Sequence, residues 1–305
     1  MGEYSIGVDL GGTNLRAAAI TRSGEVLGKI SGLAQLSQGR KAVLEDMADS
    51  IVKLREQCGS HDLVGVGIGV PGFILIDKGI IVGSNNLPDF EGVPVRDEIE
   101  HLLGARVVLE NDANAAALGE HWIGAGKGVK DLVLLTLGTG IGGGVISGGK
   151  ILRGVDGMAG EFGHMTVVPN GYPCGCGNRG CFEKHASATA ISAMARLLQL
   201  GHSLTAAEVY DLAVAGNEKA KTVFEAMGEM LGVGLATLVN AFNFRLYLLS
   251  GGPLPAWDFF APTMFAECKR RSFTFRNTQT RIERATLGNE AGLFGAAYLG
   301  MEPGL

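Results

Sequence analysis

The sequence has no surplus of positive charge, no apolar run long enough to cross a membrane, and too few cysteines for a disulfide framework. Each shortage excludes a class. Of 305 residues, 26 are Lys or Arg and 31 are Asp or Glu, a formal net charge of −5. A general nucleic-acid binder is normally basic, so no nucleic-acid partner is expected. The longest apolar stretch, 63–76, is shorter than the ~18 residues a span needs. It is also interrupted by four glycines and a proline, so no membrane partner is expected. The opening MGEYSIGVDL lacks a basic segment followed by an apolar one, the mark of a secretory signal. Cysteines number five, an odd count, and three of them fall between Cys174 and Cys181. That pattern suits a reducing, cytoplasmic setting better than disulfide bonding. Charged residues are only 19% against 46% hydrophobic, which excludes disorder as the main state.

Glycine is abundant instead. There are 48, where average usage of ~7% predicts roughly 21. No Gly-X-Y period is present, so collagen is excluded, and the glycines are expected at tight turns and close backbone approaches. At ~150 residues per domain the length suggests two domains. The pattern predicts strands over 4–10, 15–21 and 25–31, a helix over 40–58, and a fully buried strand over 63–70. A helix follows to about Leu103, then a strand over 106–112 running into a helix over 113–122. The opening theme returns at 131–149, again strand, glycine turn with threonine, strand. Two such hairpins suggest two similar α/β domains, each presenting a phosphate-sized turn. Beyond them the pattern predicts helices from Ser187, from the capping box Thr205–Glu208, and from Asn217. A strand over 244–252, the segment RIERATLG and a helix over 289–299 complete the chain.

Several motifs carry chemistry. In DLGGTNLR (9–16), Gly11 and Gly12 let backbone N–H groups reach an anion, Thr13 and Asn14 follow, Thr13 adds a hydroxyl, and Asp9 can orient a metal-bound water. It is not a Walker A loop, because no Gly-Lys-Ser/Thr follows. LTLGTGIGGG (135–144) packs five glycines into 138–144, around Gly138, Thr139 and Gly140. LLSGG (248–252) ends a strand at Gly251 and Gly252, where a planar ring can lie on bare backbone. His164, Cys174, Cys176 and Cys181 supply one imidazole and three thiols, a set suited to a closed, structural zinc site. Asn111 and Asp112 stand where a strand passes into a helix. Glu161 lies three residues before His164, and Glu183 lies two after Cys181. Together these acids and amides suit a polyol-binding pocket.

DLGGTN, LGTGIGGG, ENDANAAALGE, GEFGH and CGCGNRGCFE, in this order, resemble the ROK family of sugar kinases, and within it the bacterial glucokinases. The resemblance covers essentially the whole chain. It implies an actin-like (ribonuclease H-like) α/β ATPase fold of two similar domains with a sugar cleft between them. The expected division is 1–112 plus the helix 290–305, and 113–289 with the zinc loop. It further implies ATP-dependent phosphorylation of a hexose, glucose foremost, at the 6-hydroxyl, with Mg²⁺ accompanying ATP and a structural Zn²⁺. DLGGTN and LGTGIGGG match the phosphate motifs, and LSGG matches the adenosine motif. Asp112 falls on the catalytic base. Asn111, Asp112, Glu161, His164 and Glu183 fall on sugar-contact positions, His164 also on the zinc. Gly72 and Asn86, with Asn85 beside it, fall on weaker sugar contacts. A homodimer or homotetramer is expected. The alternatives are a kinase for mannose, fructose or an N-acetylhexosamine, and a sugar-sensing regulator that does not phosphorylate. Regulators of the family carry an N-terminal DNA-binding domain, and this sequence opens at the first strand. His185 departs from a tyrosine common at its position. The basic stretch Lys269, Arg270 and Arg271 reads as a solvated helix end rather than a polyphosphate track.

Overall fold

The computed structural model describes residues 2–84 and 87–302. From the N-terminus, β1 (Glu3–Leu10), β2 (Asn14–Thr21) and β3 (Val26–Leu33) form an antiparallel meander. The β2–β3 turn uses Gly24 at φ +87°, a left-handed conformation that glycine adopts without strain. Helix α1 (Arg40–Gln57) carries the chain to β4 (Asp62–Val70), which pairs parallel with β1. A small hairpin, β5 (Phe73–Leu75) and β6 (Ile80–Gly83), precedes α2 (Val95–Leu103). Strand β7 (Val107–Asn111) then pairs parallel with β4 and runs directly into α3 (Asp112–Trp122). The sheet order is β3-β2-β1-β4-β7. All of β1 beyond Glu3 is buried, as its unbroken apolar run requires when both faces are covered.

The same order recurs. β8 (Leu132–Leu137), β9 (Ile141–Ser147) and β10 (Lys150–Ile151) lead on to the helical part of the chain. That part holds α4 (Glu183–Ala186), α5 (Ala188–Leu197), α6 (Ala206–Val214) and α7 (Glu218–Phe242). Then come β11 (Leu246–Gly251), α8 (Trp257–Arg271), α9 (Phe273–Asn277), β12 (Arg281–Arg284) and α10 (Ala291–Met301). The second sheet is ordered β10-β9-β8-β11-β12, the first order repeated. This duplicated α/β sheet is the actin-like fold. The capping box of α6 forms as its sequence predicts, Thr205 and Glu208 bonding reciprocally.

The chain packs as two compact units, Met1–Lys130 with Gly144–Gly160 and Thr286–Leu305, and Asp131–Gly143 with Glu161–Ala285. The first unit runs past residue 112, because α3 packs on α10 at backbone distance. A Cβ on Gly295 would lie 1.6 Å from the Ala115 carbonyl, and one on Gly119 would lie 2.2 Å from that of Ala291. In the second unit α7 is long and apolar enough to cross a membrane, but 61% of its apolar window is buried. It is a core helix, packed on α8.

Gly295→Ala tests this contact. An exposed helical glycine gains up to about 1 kcal/mol on replacement by alanine. Here the sign reverses, and overpacking should destabilise the protein by about 2–3 kcal/mol. Urea denaturation of the two proteins measures the difference.

Candidate active site

In the first unit the β1–β2 turn presents Gly12, Thr13 and Asn14 to solvent, closed by the Gly11 N–H donating to the Asn14 carbonyl at 2.8 Å. Asp9, at the foot of this turn, is 9% exposed and ion-paired with the Arg16 guanidinium. Arg16 also donates to the Asn289 carbonyl at 2.7 Å and lies 3.9 Å from Glu290, which Lys29 meets at 2.6 Å. Desolvation pushes the Asp9 carboxyl above its ordinary range, with Arg16 opposing. A Cβ at Gly292 would stand 3.5 Å from the Asp9 carboxylate, an ordinary van der Waals contact.

The second feature of this unit is the β7–α3 junction. The Asn111 side chain caps α3, accepting from the Ala113 and Asn114 N–H groups at 2.9 and 3.2 Å. Its amide nitrogen donates to the Gly72 carbonyl at 3.1 Å, so Gly72 and Asn111 are brought together. Gly72 adopts φ +120°, and a Cβ there would strike the Gly83 carbonyl at 2.4 Å. Asp112 follows at the first position of the helix, half-buried, where the helix dipole attracts negative charge. It accepts from the Ala113 N–H at 2.8 Å. Asn86 and its neighbour Asn85 lie outside the described residues.

Two charged residues here receive no role from the motifs, although Glu110 opens the ENDANAAALGE segment. Glu110 is fully buried and Arg153 pairs with it at 2.7 Å. A glutamate ending the apolar run of β7 is itself the clue, because buried acids require a partner.

In the second unit the turn of Gly138, Thr139 and Gly140 is tied to the start of α5. Ala188 N–H donates to the Gly138 carbonyl at 2.9 Å, and the Thr189 hydroxyl donates to that of Thr139 at 2.7 Å. The Glu183 carboxylate lies against this turn, 2.5 Å from where a Gly140 Cβ would stand. Gly252 N–H donates to the Leu137 carbonyl at 3.1 Å, which brings the end of β11 beside the same turn. Gly251, at φ +114°, permits this, for a Cβ would lie 2.1 Å from that carbonyl.

His164, Cys174, Cys176 and Cys181 converge. Their ligand atoms all lie within 4.8 Å of one another, with Cys174 Sγ 3.7 Å from His164 Nδ1 and Cys176 Sγ 3.6 Å from Cys181 Sγ. A tetrahedron with metal–sulfur bonds of ~2.3 Å has edges of roughly 3.8 Å, so the set fits such an ion. Desolvation pushes the Cys174 thiol up to about 12. A metal cation supplies the charge a thiolate needs in such surroundings. The ring's other nitrogen, Nε2, lies 3.8 Å from Glu161. Glu161 itself is raised by desolvation, lowered by His164 and raised by Glu183. His185 stacks on Tyr172, with ring centroids 5.2 Å apart. Of the basic stretch, Arg270 and Arg271 both pair with Glu267 at 2.7 Å, in the last turns of α8.

The ROK family model matches residues 5–302. The chain belongs to the ROK family. A glucokinase from Halalkalibacterium halodurans is 37% identical, with 97% of this chain and 94% of that protein covered. The xylose repressor of Bacillus subtilis is 30% identical over 97% of this chain and 76% of its own. Among solved structures, a ROK hexokinase from Thermus thermophilus is 35% identical with a TM-score of 0.86. It covers 99% of this chain and 100% of that one. A Streptomyces griseus ROK glucokinase, in complex with glucose and AMPPNP, is 32% identical with a TM-score of 0.82, covering 97% and 98%.

Removing the Arg16 cation tests the electrostatics of the first turn. Asp9 has a raised folded pKa, so its contribution to stability is present at low pH. That contribution is lost as pH rises from the unfolded value, about 3.9, through the raised folded one. Arg16→Met raises the folded value further. The variant should be close to the parent at pH 4 and about 2–3 kcal/mol less stable at pH 7. Urea denaturation at the two pH values measures this.

Proposed function

We propose that the protein is an ATP-dependent glucokinase, transferring the γ-phosphoryl group of ATP to the 6-hydroxyl of glucose. The observation that carries this reading is a carboxylate, Asp112, opening a capped helix in a chain that also keeps both glycine turns of its family. Phosphoryl transfer asks for positioning and charge stabilisation more than covalent chemistry. The turns 11–14 and 138–140 offer backbone N–H groups and threonine hydroxyls to phosphate oxygens, and Gly251–Gly252 offers bare backbone to adenine. Asp112 takes the proton of the attacking hydroxyl. Asn111, Glu161, His164 and Glu183 hydrogen-bond the ring, with Gly72 and Asn86 as further contacts, so that one hydroxyl is presented for reaction.

Among the described residues the only cluster of three or more candidate metal ligands is the His–Cys₃ set. Mg²⁺ would accompany the nucleotide, with Asp9 as the residue that would orient a water on it, and would neutralise charge on the phosphates. The His–Cys₃ set holds a structural Zn²⁺, which fixes the loop carrying Glu183.

ADP release measured over a panel of sugars tests the reading. Glucose should give the highest kcat/KM, and mannose, with one hydrogen bond lost, should be about 5- to 150-fold poorer, the equivalent of about 1–3 kcal/mol. N-acetylglucosamine and N-acetylmannosamine should be poorer still. An N-acetyl sugar outperforming glucose rejects glucose as the substrate. ADP release that no sugar stimulates rejects the kinase and favours a sugar-binding regulator, as the repressor relative suggests.

Asp112→Asn should bind glucose and lose roughly 10²–10⁴-fold in kcat; near-parental turnover in the folded variant removes Asp112 from the role. Metal analysis of protein purified without chelator should find about one zinc per chain. Cys176→Ala should lower both thermal stability and glucose affinity, and zinc-free protein with full affinity rejects that assignment.

A further inference from the structure

We propose that Glu110 and Arg153 are a positioning pair. They hold the Asn111–Asp112 turn and the segment leading into Glu161 on one buried carboxylate. The inference rests on the kinase reading and adds the residues that set its geometry. The Glu110 side chain is 1% exposed, and its two oxygens reach three donors on two segments. Oε1 accepts from the Asn111 backbone N–H at 2.9 Å and from Asn114 Nδ2 at 3.0 Å. Oε2 accepts from Arg153 Nε at 2.7 Å. One oxygen therefore grips both flanks of Asp112, and the other grips the chain some forty residues on.

Arg153 is the base of a closed loop. Its carbonyl accepts from the Ala159 N–H at 2.9 Å. Within the loop, Gly157 comes so close to the Ile74 carbonyl that a Cβ would stand 2.5 Å from it. Beyond Ala159 the chain passes through Gly160 to Glu161 and His164. Glu110 thus fixes the start of the segment that supplies candidate sugar ligands, and it fixes the candidate base as well.

A purely structural role predicts a different residue. A buried ion pair gives little net stability over an apolar replacement of both partners, so packing alone favours apolar side chains at the two positions. What the carboxylate adds is direction. The Asn114 amide shows its pull, turning its nitrogen to Glu110 while its own Oδ1 stays buried without a hydrogen-bond partner. Displacing reacting groups by about 1 Å can cost on the order of 10²-fold in rate.

The test uses the full chain with Arg153→Met, Arg153→Lys and Glu110→Gln. Thermal melting defines a temperature at which each is folded. At that temperature kcat and KM are measured for glucose and for ATP, and hydrogen exchange is followed in the segments 106–114 and 153–164. In Arg153→Met, kcat/KM for glucose should fall about 10- to 100-fold, with KM for ATP within about twofold of the parent. Both segments should exchange faster, and Arg153→Lys should recover much of the loss. Should Arg153→Met not fold, Glu110→Gln, which keeps the side-chain shape, should show the same pattern. Folded variants with glucose kinetics within about twofold of the parent overturn the proposal, as does an equal rise in KM for ATP. If the parent phosphorylates no sugar, the kinase reading fails by itself. Exchange then decides the anchoring: faster exchange in both segments supports it, and unchanged exchange overturns it.

Discussion

Helix α10 lies at backbone distance from its neighbours, and the first unit is built on that contact. A Cβ on Gly7 of β1 would stand 2.2 Å from the Leu293 carbonyl, and one on Gly67 of β4 would stand 1.8 Å from that of Ala296. Gly65 meets Gly300 in the same way, and Gly119 and Gly295 bring α3 to the other side. The helix is buried almost all round, as its continuous apolar sequence AGLFGAAYLGM demands. Interiors pack as densely as organic crystals, so an added methyl at any of these points has no space to enter. Six glycines are explained here by helix and sheet contacts, while seventeen others among the described residues take positive φ.

This contact places the chemistry. Strand β1 ends at the turn that Asp9 supports, and the loop before α10 supplies Asn289 and Glu290 to Arg16, which holds Asp9. Helix α3 starts at Asp112 and packs along α10. One helix therefore fixes both the candidate phosphate turn and the candidate base. Buried charge supplements it at only a few points. Glu120, buried on α3, accepts from the Ala125, Thr286 and Leu287 N–H groups at 2.7–3.0 Å. That carboxylate satisfies backbone donors on the way into α10 that would otherwise be stranded.

Elements with a long period or a distinctive turn are legible in the sequence. The runs of β1, β4 and β11 announce buried strands, and Thr205, Glu208 and Asn217 announce their helices through capping chemistry. The hairpin β5–β6 and the four-residue α4 are too short to show a period, and they emerge only from the contacts around them. The convergence of His164 with the three cysteines is legible from donor chemistry. The pairing of Glu110 with Arg153 is not, since it spans 43 residues and Arg153 lies in no recognisable pattern. Arg16 stands inside DLGGTNLR, yet its role as the partner of Asp9 depends on strand register, with Asp9 directly opposite Arg16 in the β1–β2 pair. Sequence names the candidate reacting groups, and packing reveals which groups hold them.

The second unit solves the same problem differently. Its candidate sugar-side acid, Glu183, follows directly on an irregular loop, where conformational freedom would blur any fixed direction. Three cysteines and a histidine in that loop gather their donor atoms to one point, which a short glycine-rich segment can reach without a strand or helix to support it. Glu183 emerges two residues after the last cysteine, at the start of α4. It accepts from the Cys174 thiol at 3.1 Å and meets Lys184 at 3.4 Å. Its other oxygen lies against Gly140, where any side chain would displace it. Gly140 thus gives clearance to an acid, which alanine would take away. Where the first unit positions its carboxylates by helix packing, the second positions one by a knot of candidate metal ligands and a missing methyl group.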